Sequence, residues 1–177
     1  RARRRPEGQV RRDVVGRQPT AAEVNAEVSA LDGGASAAAY VQALRRGPDA
    51  TTNVDPTTRL YFAYFLRVPD LSGVSYWIGK RRQGRTLTSI SDTFAASSEF
   101  KSRYGTLTDT QFVTLIYQNV LGRKADAAGV AYWTAKLAAH TKTRGQVMLG
   151  FSESSEYKRK KAPSVDVSAT WIALLHA

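Results

Sequence analysis

The chain repeats itself, and a repeat constrains a fold more tightly than composition does. Each copy must form the same small structure and bury its apolar face against a neighbour. Arg67, Asp70, Gly73, Val74, Tyr76 and Trp77 recur 56 residues later as Arg123, Asp126, Gly129, Val130, Tyr132 and Trp133. Around them Leu66 answers Leu121 after an offset of one residue, and Tyr61 answers Tyr117. Downstream, Phe94…Ser98-Glu99-Phe100 returns as Phe151…Ser155-Glu156-Tyr157, now 57 residues on, so one residue has been inserted between. A fainter copy lies 50 residues before the first: Pro6 aligns with Pro56, Arg17 with Arg67, Pro19 with Pro69, Val24 with Val74 and Leu44 with Phe94. That copy has Ala26 and Glu27 in place of the Tyr-Trp pair.

The local signals within each copy are helical. Asp55-Pro56 offers an N-cap followed by a proline at the first helical position. Thr20…Glu23, Thr108…Gln111 and Thr143…Gln146 have capping-box spacing. Asp70 and Asp126 stand just before apolar-periodic runs, where a carboxylate holds free backbone N–H groups. Gly33-Gly34, Gly84 and Gly105 fall where helices should stop. Phe112, Leu115, Ile116 and Val120, then Val130, Trp133 and Leu137, recur at helical spacing, and no stretch alternates long enough to demand a strand. The expectation is an all-α fold, a tandem array of about three ~50-residue units with a C-terminal helix. The units are placed at 6–50, 55–105 and 108–162, and residues 164–177 form a terminal helix, either a cap or the start of a further unit. One such unit buries too little apolar surface to stand alone, so neighbours should pack on each other.

The formal charge of +11 first suggests a nucleic-acid partner. Its distribution weighs against one. Seven arginines in residues 1–17, among them Arg3, Arg4, Arg5, Arg11 and Arg12, stand against Glu7 and Asp13, a net of +5. Lys158, Arg159, Lys160 and Lys161 add +4, and the rest of the chain is nearly neutral. A polyanion contact, if there is one, belongs to those two runs. The chain has no cysteine, which excludes disulfides, thiolate metal sites and a cysteine nucleophile. No apolar run approaches the ~20 residues that span a bilayer. The first residue is Arg1, not Met, and an upstream segment removed by cleavage or truncation is expected.

The string Leu115-Ile116-Tyr117-Gln118-Asn119-Val120-Leu121-Gly122-Arg123…Asp126…Gly129…Tyr132-Trp133, closing with Phe151…Ser155-Glu156-Tyr157, resembles the bacterial domain-of-unknown-function 4214 family. The likeness is strong over 109–161, good over 56–104 and weak over 6–50. More distantly, the chain is similar to the globular linker domains of the cyanobacterial phycobilisome, which share a Tyr…Leu-Gly-Arg…Asp…Gly…Tyr pattern. The resemblance implies an all-helical module, often in tandem on secreted or surface-associated bacterial proteins, with no established catalytic residues. The phycobilisome relatives are non-enzymatic assembly pieces, so the analogy points to scaffolding.

Two readings of the repeated motif stay open. In one, Asp70 and Asp126 cap helices while Arg67 and Arg123 tie their turns to carboxylates such as Glu99 and Glu156. In the other, Arg and Asp grip a ligand, with Trp77 or Trp133 as a stacking face and Tyr76 or Tyr132 beside it. The apolar terminal residues Trp171, Ile172, Leu174 and Leu175 offer an interface. His140 and His176 do not repeat and have no partner at metal-ligand spacing. No phosphate loop, nucleophile elbow or calcium loop is visible. The reading is a non-catalytic scaffold module of a secreted or surface-associated bacterial protein, with no cofactor. Its partners would be itself or other surface proteins. Two alternatives stand beside it: a carbohydrate or cell-wall-polymer binder, and a polyanion binder through the basic runs.

Overall fold

A computed structural model describes residues 20–175, with side chains as far as Ile172. The described chain is all-α. Its helices are α1 (Ala21–Asp32), α2 (Ala37–Arg45), α3 (a π turn Ala50–Val54 running directly into Asp55–Phe65), α4 (Leu71–Arg82), α5 (Leu87–Ala95) and α6 (Ser98–Tyr104). There follow α7 (Asp109–Ile116 continued by a π turn Tyr117–Leu121), α8 (Ala127–Ala138), α9 (Arg144–Ser152) and α10 (Ser155–Leu175).

Polar caps set where most of these helices begin. Thr20, Thr108 and Thr143 close full capping boxes with Glu23, Gln111 and Gln146. Ser36, Thr86 and Ser97 each accept a backbone N–H from the residue three further on. Left-handed residues set where several end. Gly34, Gly84 and His140 follow α1, α4 and α8 with φ of 94°, 91° and 53°. Leu66 and Gly122 end α3 and α7 with φ of 54° and 70°. The structure therefore pairs Leu66 with Gly122, where sequence similarity pairs it with Leu121: the backbone conformation needed to leave the helix is conserved between the two turns, while the side chain is not. Gly105 also ends a helix, α6, but in the right-handed region.

α3 lies at the centre. All six residues from Leu60 to Phe65 are buried, with α4, α5, α9 and α10 packed around the helix. The closest crossing is between α5 and α9. A Cβ on Gly145 would stand 2.5 Å from Asp92 Oδ1 and 3.1 Å from its backbone, so only glycine permits this approach. Polar groups sealed into the crossing are satisfied in a chain: Tyr64 OH donates to the Ser91 carbonyl at 2.8 Å, and Ser91 Oγ donates to the Gly145 carbonyl at 2.7 Å. Thr143 Oγ1 adds a 2.9 Å bond to Asp92.

The C-terminal boundary differs from expectation. The end of the unit placed at 108–162 and the terminal helix expected from 164 are one helix, α10, with Pro163 inside it. Proline's missing N–H frees one carbonyl a turn earlier, yet its fixed φ suits a helix, and buried Tyr157, Val165, Ala169 and Ile172 hold both halves against the body. Arg3, Arg4, Arg5, Arg11 and Arg12 and much of the first predicted unit lie outside the described residues, as do the side chains of Leu174 and Leu175.

Candidate functional site: two matching motif turns

Each turn follows the αL residue that ends α3 or α7. In the first, Asp70 is the N-cap of α4, and its Oδ1 accepts the Gly73 N–H at 2.7 Å. Its Oδ2 accepts the Tyr61 hydroxyl at 2.5 Å and faces Arg67 Nη1 at 3.4 Å. Arg67 reaches on to Glu99 at the start of α6, with Nε and Nη2 at 3.4 and 3.5 Å from the two carboxylate oxygens. In the second, Asp126 caps α8 and accepts the Gly129 N–H at 2.7 Å. Arg123 grips Glu156 at the start of α10 with both prongs, at 2.8 and 3.1 Å, and stands 3.5 Å from Asp126. Such a fork-to-fork bond fixes geometry as well as adding energy.

Electrostatics follow from these contacts. The Tyr61 hydrogen bond, then the Gly73 N–H, hold the Asp70 carboxyl down at about 2. Burial, then the Asp70 carboxylate, push the Tyr61 phenol up to about 12. Gly129's backbone N–H holds Asp126 below its ordinary value, and Arg123 does the same for Glu156. Around neutral pH the carboxylates are charged and the phenol is neutral.

The tyrosine that precedes each motif also explains the motif's glycine. The Tyr61 ring lies against Phe65 and Phe94, and Tyr117 lies edge-on to Phe151 at 4.8 Å. Arg67 and Arg123 cover these rings at 5.5 and 4.9 Å. Each hydroxyl is thereby driven against the start of the following helix, where a Cβ on Gly73 would stand 3.0 Å from Tyr61 OH and one on Gly129 would overlap Tyr117 OH.

The Trp and Tyr residues divide. Trp77 and Trp133 are half-buried, Trp77 edge-on to Phe94 at 5.2 Å and Trp133 against Phe151 at 5.7 Å and across Gly150. Arg85 lies over the Trp77 ring, 5.2 Å from its centre. Tyr76 and Tyr132 are 55% exposed and carry Lys80 and Lys136 over their rings at 5.3 and 5.6 Å. That lysine recurs 56 residues apart like the motif, and the spacing reveals it once the comparison is carried past the tryptophans.

The basic tetrad is largely engaged in the fold. Lys158 pairs with Glu153, which Arg59 also holds with both prongs. Lys160 donates to the Leu121 carbonyl at 2.6 Å, satisfying the end of α7, and Lys161 lies 5.0 Å from the Phe62 ring centre. Arg159 is exposed. Of the terminal apolar residues, Ile172 is buried in the core while Trp171 is 54% exposed.

Beside the second turn lies an open hollow of about 380 Å³ lined by Thr114, Gln118, Gly122, Arg123, Lys124 and Ala125. It adjoins another of about 320 Å³ that shares Thr114 and Gln118 and runs along the outer side of α7 to Leu107. Among the described residues no three His, Asp or Glu side chains stand together as metal ligands would, and no helix is long and apolar enough to cross a membrane.

Residues 91–161 match the model of a family described as Domain of unknown function (DUF4214). The matched stretch takes in the whole second motif turn, all of α9 and the second half of α5 from Ser91. No curated protein and no solved structure matches the chain.

Proposed function

We propose that the chain is a non-catalytic interaction module: a tandem array of helical repeats that docks on copies of itself, as a scaffold of a secreted or surface-associated bacterial protein. One observation carries the reading. In both motif turns the polar groups are paired within the fold, Asp on a helix N-terminus and Arg on a glutamate. Large apolar groups are left outside instead, with Val167 at 59% and Trp171 at 54% exposure on one helix. Val167 and Trp171, one turn apart, are the surface assigned to that contact in this reading. Light scattering coupled to size exclusion over a wide concentration range tests the reading. Mass should rise with concentration, and a strict monomer that forms no ordered polymer refutes it.

A second reading is favoured by the hollow beside Arg123. Thr114, Gln118, Arg123 and Lys124 offer hydroxyl, amide and cationic groups suited to a glycan or anionic wall polymer. Polysaccharide pull-down with the parent and with Gln118→Ala and Lys124→Ala proteins tests it. Failure of the parent to be retained ends that reading, as does equal retention of all three.

A further inference from the structure

The outer stripe of α7 differs in kind from the same stripe of α3. Across the 56-residue period Val54, Thr58 and Phe62 of α3 answer Thr110, Thr114 and Gln118 of α7. On α3 the three are 3%, 0% and 6% exposed, and Lys161 of α10 lies over the Phe62 ring at 5.0 Å. Arg59 beside them reaches Glu153, at the end of α9, with both prongs. On α7 all three counterparts are exposed, and Leu115 stands half-buried where α3 has Arg59. The stripe that α3 seals with a valine and a phenylalanine is rebuilt on α7 with a hydroxyl and an amide.

The rebuilt stripe lies in a concavity. The hollows of about 380 and 320 Å³ meet at Thr114 and Gln118 and together form a groove along the helix. Thr110, Thr114 and Gln118 follow one another at every fourth residue, so their polar groups stand about 6 Å apart in a line about 12 Å long. Thr114 Oγ1 donates to the Thr110 carbonyl at 2.8 Å, which leaves its lone pairs to accept. The Gln111 amide oxygen is engaged in the capping box, which leaves its NH2 group to donate. Among the described residues neither the Gln118 amide nor the Thr110 hydroxyl is bonded to the fold. Leu107 and Leu115, both half-buried, supply apolar surface beside these groups.

Charge is scarce along the groove. Arg123 is held by Glu156 and stands 3.5 Å from Asp126, so its charge is met inside the fold. Lys124, at one end, is the other cation of the lining. An anionic polymer calls for cations along the whole line. Donors and acceptors without charge, set in a row with apolar surface beside them, match a neutral sugar chain instead. Its ring edges carry hydroxyls and its ring faces carry C–H groups.

We infer that α7 binds an extended neutral glycan, laid along Thr110, Thr114 and Gln118 with its ring faces against Leu107 and Leu115. The inference rests on the second reading above, in which the hollow beside Arg123 takes a glycan or an anionic wall polymer. It selects the neutral class and sets the direction along the helix.

The test is pull-down and affinity electrophoresis of the full chain at low and high salt. The neutral polymers are amylose, β-1,3-glucan, mannan and chitin; the anionic ones are alginate and wall teichoic acid. At least one neutral polymer should retain the parent, equally at both salt concentrations. Thr110→Val, which installs the residue that α3 carries, and Gln118→Ala should each weaken that retention about 3–10-fold, the loss of one net hydrogen bond. Both positions are exposed, and circular dichroism with thermal melting verifies the fold of each variant. Retention confined to the anionic polymers and falling with salt overturns the inference while the second reading stands. Retention on a neutral polymer that neither substitution weakens overturns the placement along α7. If none of these polymers retains the parent, the inference and the second reading both fail.

Discussion

Replacing Gly129 with alanine tests whether the repeated glycine is there for the tyrosine. A Cβ at this position overlaps the Tyr117 hydroxyl and stands 2.9 Å from Tyr117 Cζ and 3.0 Å from Asp126 Oδ1. A flexible side chain would step aside at little cost. Tyr117 has nowhere to go: it is 6% exposed, with Phe151 against its ring at 4.8 Å and the Arg123 guanidinium 4.9 Å from its centre. Forcing one carbon into such a site costs about 1–3 kcal/mol. The Cβ meets two atoms of a held ring, so the upper half of that range applies, and after alanine returns about 1 kcal/mol in helix propensity the expected net loss is about 1–2 kcal/mol. The control is Tyr117→Phe, which removes the overlapping oxygen and keeps the ring. In that background Gly129→Ala should cost at least about 1 kcal/mol less, a coupling that a double-mutant cycle resolves. Urea unfolding of the four proteins, followed by circular dichroism, supplies the numbers. The reasoning is refuted if Gly129→Ala is neutral in the parent, or if its cost is the same with and without the hydroxyl.

Other expectations follow from the same contacts. His140 holds a left-handed conformation that glycine holds after α1 and α4, so His140→Gly should raise stability by about 0.5–1 kcal/mol, read as a melting point about 1–4 °C higher. Ser91→Ala removes the side-chain bond to the Gly145 carbonyl across the α5–α9 crossing, while the Tyr64 hydroxyl keeps the Ser91 carbonyl, and should cost about 0.5–1.5 kcal/mol in urea unfolding. Glu156→Gln weakens a pair whose side chains are 43% and 38% exposed, so its loss should stay below about 1 kcal/mol and shrink further in high salt. Asp70 has a lowered folded pKa, so its contribution is complete above its ordinary value of 3.8 and is lost as pH falls toward 2. Asp70→Asn should therefore flatten the stability profile between those two pH values, measured by urea midpoints across the range.

The helices were legible because their signals are local. Thr20, Thr108 and Thr143, with Glu23, Gln111 and Gln146 three residues on, are complete instructions within one turn, and all three close in the structure. Periodic apolar residues such as Phe112, Ile116 and Val120 likewise lie in the core. The sequence was silent where the deciding atom sits far along the chain. That Lys160 satisfies the Leu121 carbonyl, or that Arg59 holds Glu153, depends on helices meeting across tens of residues. A run of four basic residues therefore looked like a single surface patch, although three of its members have separate partners. Leu66 misled for a related reason. Its side chain invites alignment with Leu121, yet the backbone there does what Gly122 does, and conformation is invisible in a residue that adopts it under constraint.

Boundaries drawn from a repeat and boundaries of packing need not coincide. The period places a break between 105 and 108, because the motif recurs from there. The family match instead runs unbroken from 91 to 161, across that break. The packing gives the physical reason. Ser91 of α5 is hydrogen-bonded both to Tyr64, before the break, and to Gly145, after it, and Arg144 reaches back to the Tyr104 and Leu107 carbonyls. A segment cut at the period would part Ser91 from Gly145 and the Tyr104 carbonyl from Arg144. α10 shows the same sharing: its first half holds Glu156 for the turn behind it, while its second half packs Val165, Ala169 and Ile172 on the body. An internal turn such as Arg123–Asp126 links helices in the same way, its aspartate capping α8 while its arginine holds Glu156 of α10.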